Sequence, residues 1–449
     1  MNRQATRSGI KAAGSSLFRL FRFTSYLLAF SIGLALTGCA TGLQQAASPE
    51  AAGLSSERLK EISTAFQSGV AKKEIPGAVI LIARHGKIGY FEAIGYRDRE
   101  TGAPMSRDAI FRIASMTKPV TVVAAMMLIE QGRLNLSDPV SRHLPEFKDV
   151  KVGVEKKDAS GKIVLVLETP RREMTVLDLM RHTSGITYDF TGKSLVRDQY
   201  NQAKVRDPSQ SNAQFVSKLS RAPLQYHPGE VWDYSFSTDV LGRIVEVISG
   251  MDLEQYFAER IFKPLGMADT GFWVSDPAKR SRIAEVQADA ATGKRPATPD
   301  KTTRSWQGGG GALVSTASDY ARFCQMLLNG GELDGARIVS RKTVEQMTQN
   351  HLPAGIKINH FPIPVLDVRP EAGNGFGLNL MVRTADGRGP IPGNIGDYTW
   401  PGIFGTYFWV DPKKELVVIM MIQVPASARE VRAKYWTQMR ELVYRTLAN

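Results

Sequence analysis

Apolar residues recur at helical spacing through residues 55–73, where Leu59, Ile62, Phe66 and Val70 make one face. The spacing predicts a helix, with Ser55 or Ser56 placed to cap its first turn. Two strand-like runs follow, 78–84 and 88–96, joined at His85-Gly86-Lys87, where the glycine signals a hairpin. A strongly apolar helix is predicted over 115–131, with Pro119 in its early turns, where a missing N–H costs least. Residues 147–170 read as a charged hairpin or insertion. A short helix over 176–182 carries a capping-box pattern in Thr175 and Asp178. Residues 183–230 are polar and loop-rich, and helices return at about 237–249 and 252–262. After an unbroken glycine run at 308–311, a helix begins near Thr316, with Asp319 placed to complete another capping box. Strand patterns at 406–410 and 416–422 flank the turn Asp411-Pro412-Lys413-Lys414, and a last helix spans roughly 426–447.

Strands at both ends and helices between them predict an α/β chain of the α+β type. Its antiparallel sheet is built from the N- and C-terminal segments, 53–100 plus 306–449, and flanked by the terminal helices. Residues 101–305 form an inserted, mainly helical domain, and the cleft between the two is the expected active site. A chain of 449 residues with 43% apolar and 22% charged residues can bury a large core, which excludes global disorder. The formal charge is +13, yet no run of Lys and Arg with interleaved aromatics occurs, so a nucleic-acid partner is not expected.

Five of those positive charges, Arg3, Arg7, Lys11, Arg19 and Arg22, precede Cys39, and no acidic residue does. The apolar stretch 23–37 matches a signal h-region; a spanning helix needs about twenty residues. It ends in Leu36-Thr37-Gly38-Cys39, which looks like a bacterial lipobox. The expectation is a lipoprotein signal peptide over 1–38, lipidation of Cys39 and a tether over 39–52. That would anchor the protein to a membrane, facing the periplasm or cell exterior. Cys324 lies in the apolar pattern Tyr320, Phe323, Leu327, Leu328 and reads as core, so no intramolecular disulfide is expected.

Ser115-Met116-Thr117-Lys118 opens the apolar helix, and positions i and i+3 share a face, so hydroxyl and amine can meet. A serine needs a base to become a nucleophile, and burial together with the positive end of a helix dipole can make a lysine serve. The Ser115 N–H, at the helix start, can face a developing oxyanion. The pattern alone is weak, because Ser8-Gly9-Ile10-Lys11 repeats it inside the export signal. A second element, Pro228-Gly229 followed by Tyr234-Ser235, places a phenol on a loop where it can relay a proton. A third, Trp400-Pro401-Gly402-Ile403, precedes the penultimate strand and can supply the Ile403 N–H as a second oxyanion donor. No Gly-x-Ser-x-Gly or His-Glu-x-x-His occurs, and the six histidines are scattered, so neither a metal nor another cofactor is expected. His182 and His227 read as loop or packing residues.

In this order the three elements resemble the class C β-lactamase and penicillin-binding family, including its carboxylesterase (family VIII) branch. The resemblance covers roughly 53–445 and extends to His182-Thr183-Ser184-Gly185, the 308–311 glycines with Ser315-Thr316-Ala317, and Trp409-Val410-Asp411-Pro412. It implies a β-lactamase/transpeptidase-like fold, with Ser115 as nucleophile, Lys118 as its activator and Tyr234 as proton relay. It also makes Trp400–Ile403 the cleft wall and oxyanion donor. Two departures point away from β-lactams and peptides. Phe236 stands where those enzymes usually carry an amide-binding Asn, and Trp400 where they carry a cation for the substrate carboxylate. Pro401 removes an N–H from the strand, which suits an edge position. The expected activity is therefore cleavage of a carboxylic ester, with Phe236, Trp400 and Gly402 lining the cleft. The alternatives are a β-lactamase or D-alanyl-D-alanine carboxypeptidase at the cell wall, acyl transfer to an acceptor other than water, and an idle wall-binding protein.

Overall fold

Two strongly apolar runs of the chain, 78–83 and 416–422, sit side by side at the centre of one sheet. The computed structural model describes residues 43–296, 305–359, 366–386 and 391–447, so the expected signal peptide, Cys39 and the start of the tether lie outside the described residues. In chain order the strands of this sheet are β1 (Gln44–Gln45), β2 (Gly77–Arg84), β3 (Lys87–Asp98), β4 (Ala103–Pro104) and β5 (Asn374–Phe376). They continue with β6 (Met381–Arg383), β7 (Tyr398–Thr399), β8 (Tyr407–Asp411) and β9 (Leu416–Met421). Their spatial order is β1-β3-β2-β9-β8-β7-β6-β5, with β4 paired to β3. Every pair is antiparallel except β1 on β3. Residues from both ends of the chain thus meet at the β2–β9 pair, where Leu81 lies opposite Ile419.

Neither central strand alternates in hydropathy, because both faces are covered. Neighbours on a strand point to opposite faces. Phe408 meets Tyr320 of one helix at 5.1 Å between ring centroids, and Tyr407 meets Trp436 of another at 5.8 Å. The helices that matter here are α1 (Ser56–Ala71), α2 (Thr117–Glu130), α3 (Val176–Met180), α4 (Ser237–Ser249), α5 (Ala317–Leu328) and α6 (Arg429–Thr446). So α5 covers one face of the sheet and α6, packed with α1 through Phe66 and Tyr435, covers the other. The apolar α2 is buried on all sides and packs against α4.

Local signals hold at most of these elements. Ser55 caps α1, accepting from the Arg58 N–H. The capping box of Thr175 and Asp178 is complete at α3. His85 (φ 53°) and Gly86 (φ 70°) turn the β2–β3 hairpin in the left-handed region that two-residue loops favour. The 147–170 segment contains a hairpin of Val152–Lys157 and Ile163–Glu168, outside the main sheet.

Three expectations are corrected. Residues 44–52 do not form a tether: β1 joins the sheet edge, and Ala52 is buried in a short helical turn. The reason is space, since a side chain at Gly89 would run into Ala52 and Leu54. Thr316 caps α5, but Asp319 does not return the capping bond. Its carboxylate accepts instead from the Asp269 N–H at 2.7 Å and the Thr270 hydroxyl at 2.9 Å, binding α5 to the loop before it. Pro401 lies beyond the end of β7, in the turn to β8, so it withdraws no donor from a paired strand.

Candidate active site

The chain enters α2 through a sharp elbow. Residues 111–112 pair with 314–315, and Ala114 then adopts φ 46°, a conformation sparsely populated by non-glycine residues. A single 3-10 turn, Ala114–Met116, carries Ser115, and α2 begins only at Thr117. The serine therefore sits just ahead of the helix. Lys118, one turn on, is wholly buried.

The three expected catalytic side chains converge. The Tyr234 hydroxyl donates to Ser115 Oγ at 2.6 Å, and Lys118 Nζ lies 3.4 Å from the same oxygen. Trp400 Nε1 donates to the Tyr234 hydroxyl at 3.1 Å, so the third motif positions the second. Lys118 Nζ also bonds the Tyr188 hydroxyl at 3.0 Å and the Gly310 carbonyl at 2.5 Å, and lies 4.7 Å from the centre of the Tyr234 ring. Among the described residues it has no carboxylate at ion-pair distance. Burial holds the Tyr188 phenol well above its usual range, with the nearby Tyr234 and Asp239 adding to the effect, so Tyr188 stays protonated beside the lysine.

The glycine run explains itself here. The Gly310 N–H donates to Asp239 Oδ1 at 2.9 Å, and Thr121 Oγ1 donates to the Gly309 carbonyl at 2.7 Å. A Cβ on Gly310 would stand 2.3 Å from Asp239 Oδ2. Glycine lets the backbone wrap the buried carboxylate while its carbonyl faces Lys118.

Gly402 is constrained in the same way. Its N–H donates to the Thr406 carbonyl at 2.8 Å, and a Cβ would meet Thr406 Oγ1 at 2.2 Å and the Ile113 carbonyl at 2.4 Å. The loop carrying Ile403 therefore rests directly on the elbow that carries Ser115. Gly402→Ala is expected to push the two apart and lower kcat/KM by about 100-fold, the effect of roughly 1 Å of misplacement. Steady-state kinetics beside a thermal melt checks this; unchanged kinetics would show that the loop's close approach is immaterial.

Ser115, Tyr234, Phe236, Trp400, Gly402 and Ile403 all line one cleft of about 1130 Å³. Phe236 is buried against Tyr188, Phe215 and Trp306, with ring centroids 4.5, 5.5 and 6.4 Å away. His182 packs its ring 4.9 Å from that of Tyr234, and its Nδ1 is 3.1 Å from Ser235 Oγ. Burial, aided by the nearby Lys118, pushes its pKa well below the histidine range, so it is a neutral packing group. Cys324 is buried in α5, and burial raises its thiol well above the usual range. Among the described residues no group of three or more His, Cys, Asp or Glu could hold a metal ion. Sequence reasoning missed Tyr188, Asp239 and the role of the Gly310 carbonyl. Tyr188 lies six residues after His182 in a stretch without periodicity, and only its place near the His-Thr-Ser-Gly segment offered a signal.

Fold and site together define a serine hydrolase of the β-lactamase fold. The family model for Beta-lactamase matches residues 62–441, and the chain belongs to that family. It is 38% identical over 355 residues to Protein Rv1367c of Mycobacterium tuberculosis, covering 78% of this chain and 86% of the relative. It is 28% identical over 380 residues to Esterase EstB of Burkholderia gladioli, covering 80% of this chain and 89% of the relative. Among solved structures it is similar to EstCE1, a hydrolase with promiscuous acyltransferase activity. The TM-score is 0.69 and the identity 27%, over 86% of this chain and 98% of that one.

Proposed function

We propose that this protein cleaves carboxylic esters through an acyl-enzyme on Ser115. The observation that carries the reading is the short Tyr234–Ser115 bond with Lys118 behind it, in a cleft whose third motif offers an indole in place of a cation. Ser115 Oγ attacks the ester carbonyl as its proton passes to Tyr234 or Lys118. The Ser115 and Ile403 amides receive the oxyanion. The C–O bond to the alcohol breaks, and the same groups protonate the leaving oxygen. Water then repeats the sequence in reverse and releases the acid. EstB carries the name esterase, which supports this choice. The basic N-terminal segment and Leu36-Thr37-Gly38-Cys39 support export and lipid anchoring on Cys39, so the reaction would occur at a membrane surface outside the cytoplasm.

A second reading is acyl transfer, favoured by the description of EstCE1. An acyl-enzyme in a cleft of about 1130 Å³ with aromatic residues on its wall can be met by an alcohol in place of water. Turnover of p-nitrophenyl butyrate and nitrocefin, measured side by side on protein lacking residues 1–39, tests the main reading. Fast ester cleavage with little nitrocefin turnover is expected. Comparable or faster nitrocefin turnover would overturn it in favour of a β-lactamase or D-alanyl-D-alanine carboxypeptidase. Butyl ester formed when butanol is added would measure the share of transfer.

A further inference from the structure

The cleft has a second pole. Where α6 begins, Arg432 lines it while being only 3% exposed, and the neighbouring Arg429 lines it one helical turn earlier. We propose that this end of the cleft is an anion subsite, built around Arg432, that binds a carboxylate on the ester substrate. The proposal rests on the ester-hydrolase reading of the same cleft.

A buried guanidinium ordinarily has a carboxylate partner, because an uncompensated charge away from water costs several kcal/mol. Elsewhere this chain obeys that rule: buried Arg440 pairs with Asp397 at 2.7 Å, and buried Arg112, also on the cleft, with Glu285 at 3.3 Å. Arg432 has no such partner among the described residues. Its Nη1 donates to the carbonyls of Pro425 and Ala426, at 3.0 and 2.8 Å, which fixes the plane of the group. Its Nε is buried without any hydrogen-bond partner. Burial, and after it the charge of Arg429, lowers the Arg432 pKa to about 10, and no carboxylate counters either effect. Asp289, which reaches Ser427 nearby, is already held by the Ser427 hydroxyl and by the turn at Ala291 and Thr292. The positive end of the α6 dipole falls at the same place, and Ala428 supplies no side-chain cap.

These features describe a preorganised cation with unused donors. Arginine presents a planar fork that a carboxylate meets with two parallel bonds. The aromatic wall of Tyr188, Phe236 and Trp306 lines the same cleft. The substrate class that satisfies both is an amphiphilic ester with an apolar body and a carboxylate on its acyl or alcohol half. Trp400 replaces the cation that β-lactam-cleaving relatives place in the third motif, and Arg432 would restore anion recognition from a different element.

The test compares kcat/KM for two anionic esters with that for neutral counterparts. Mono-p-nitrophenyl glutarate is set against p-nitrophenyl pentanoate, and 3-butanoyloxybenzoate against phenyl butyrate. At least one anionic ester is expected to be preferred by about tenfold or more through KM, the scale of a charge-assisted pair. Arg432→Gln should erase that preference, while Arg432→Lys, which keeps charge without the fork, should retain part of it. Neutral esters should change by less than about threefold in both variants. Absence of any anionic preference, or an equal loss on anionic and neutral esters in Arg432→Gln, overturns the subsite while leaving the esterase reading intact. If no ester is cleaved at all, the esterase reading fails by itself. Calorimetric binding of glutarate to unaltered and Arg432→Gln protein then decides the subsite: binding lost in the variant supports it, and none in the unaltered protein rejects it.

Discussion

A Ser115→Ala protein is expected to keep its fold and to lose ester turnover by about 10⁵-fold or more, the effect of removing a nucleophile from a serine hydrolase. The fold should survive because the elbow is a backbone feature. Ala114 holds its left-handed conformation, and Gly402 rests against the Ile113 carbonyl, whatever side chain stands at 115. What disappears is the oxygen that accepts the 2.6 Å bond from Tyr234. That phenol keeps its bond from Trp400 Nε1, so the stability change should be no more than about 1 kcal/mol. Residual activity would come from the oxyanion donors and from substrate positioning. Intact-mass detection of an acyl adduct in the unaltered protein, absent in the variant, separates loss of the nucleophile from loss of binding. Retained turnover in a folded Ser115→Ala protein would sink the mechanism.

Asp397→Asn should produce the largest loss of stability. Asp397 Oδ2 receives Arg383 Nε at 3.2 Å and Arg440 Nη1 at 2.7 Å, and all three residues are buried. Arg440 also donates to the Tyr407 hydroxyl at 2.8 Å and lies 4.9 Å from the centre of the Trp409 ring, so the cluster fastens α6 to β8. The amide is nearly the shape of the carboxylate, but it leaves two guanidinium groups buried without a counter-charge. Breaking such a cluster costs about 3–5 kcal/mol. Urea unfolding at neutral pH should show the midpoint falling with an unchanged slope. A loss under about 1 kcal/mol would mean that water compensates the arginines. Ester turnover of the folded variant should remain near normal, because the cluster touches none of the reacting groups.

The four long strands β2, β3, β8 and β9 and the main helices were legible in the sequence because their signals are local, whereas the two- and three-residue strands β1 and β4–β7 carry no such signal. The short apolar runs of the strands, the 3.6-residue period of the helices, the Gly86 turn and the Thr175–Asp178 box each need only a few neighbouring residues. The convergence of Ser115, Lys118 and Tyr234 was legible for another reason: Ser115 and Lys118 lie one turn apart, and Tyr234 and Trp400 sit in motifs with a known order. What sequence did not reveal depends on approach from far along the chain. Tyr188 reaches Lys118 from a loop without periodicity. Asp239 looks like an ordinary first-turn acid of α4 until the 308–311 glycines close around it. Asp319 looked like a capping residue, yet Asp269 and Thr270, fifty positions earlier, compete for its oxygens and win. The packing of residues 44–52 leaves no signal in the sequence, because a run of small and polar residues has no hydrophobic pattern, although Ala52 fits where Gly89 leaves room.

The meeting of β2 with β9 has a consequence for how the protein comes into being. A nascent chain that lacks residues after about 415 has made β2 and β3 but not the strand that covers the other edge of β2. That edge is Gly-Ala-Val-Ile-Leu-Ile-Ala, uncharged and without proline, the composition that adds to any free strand it meets. Pairing across more than three hundred residues closes slowly, since the entropy of the intervening loop is lost before the contact rewards it. The core can therefore form only after β9 has been made, and chains truncated before β9 are expected to aggregate.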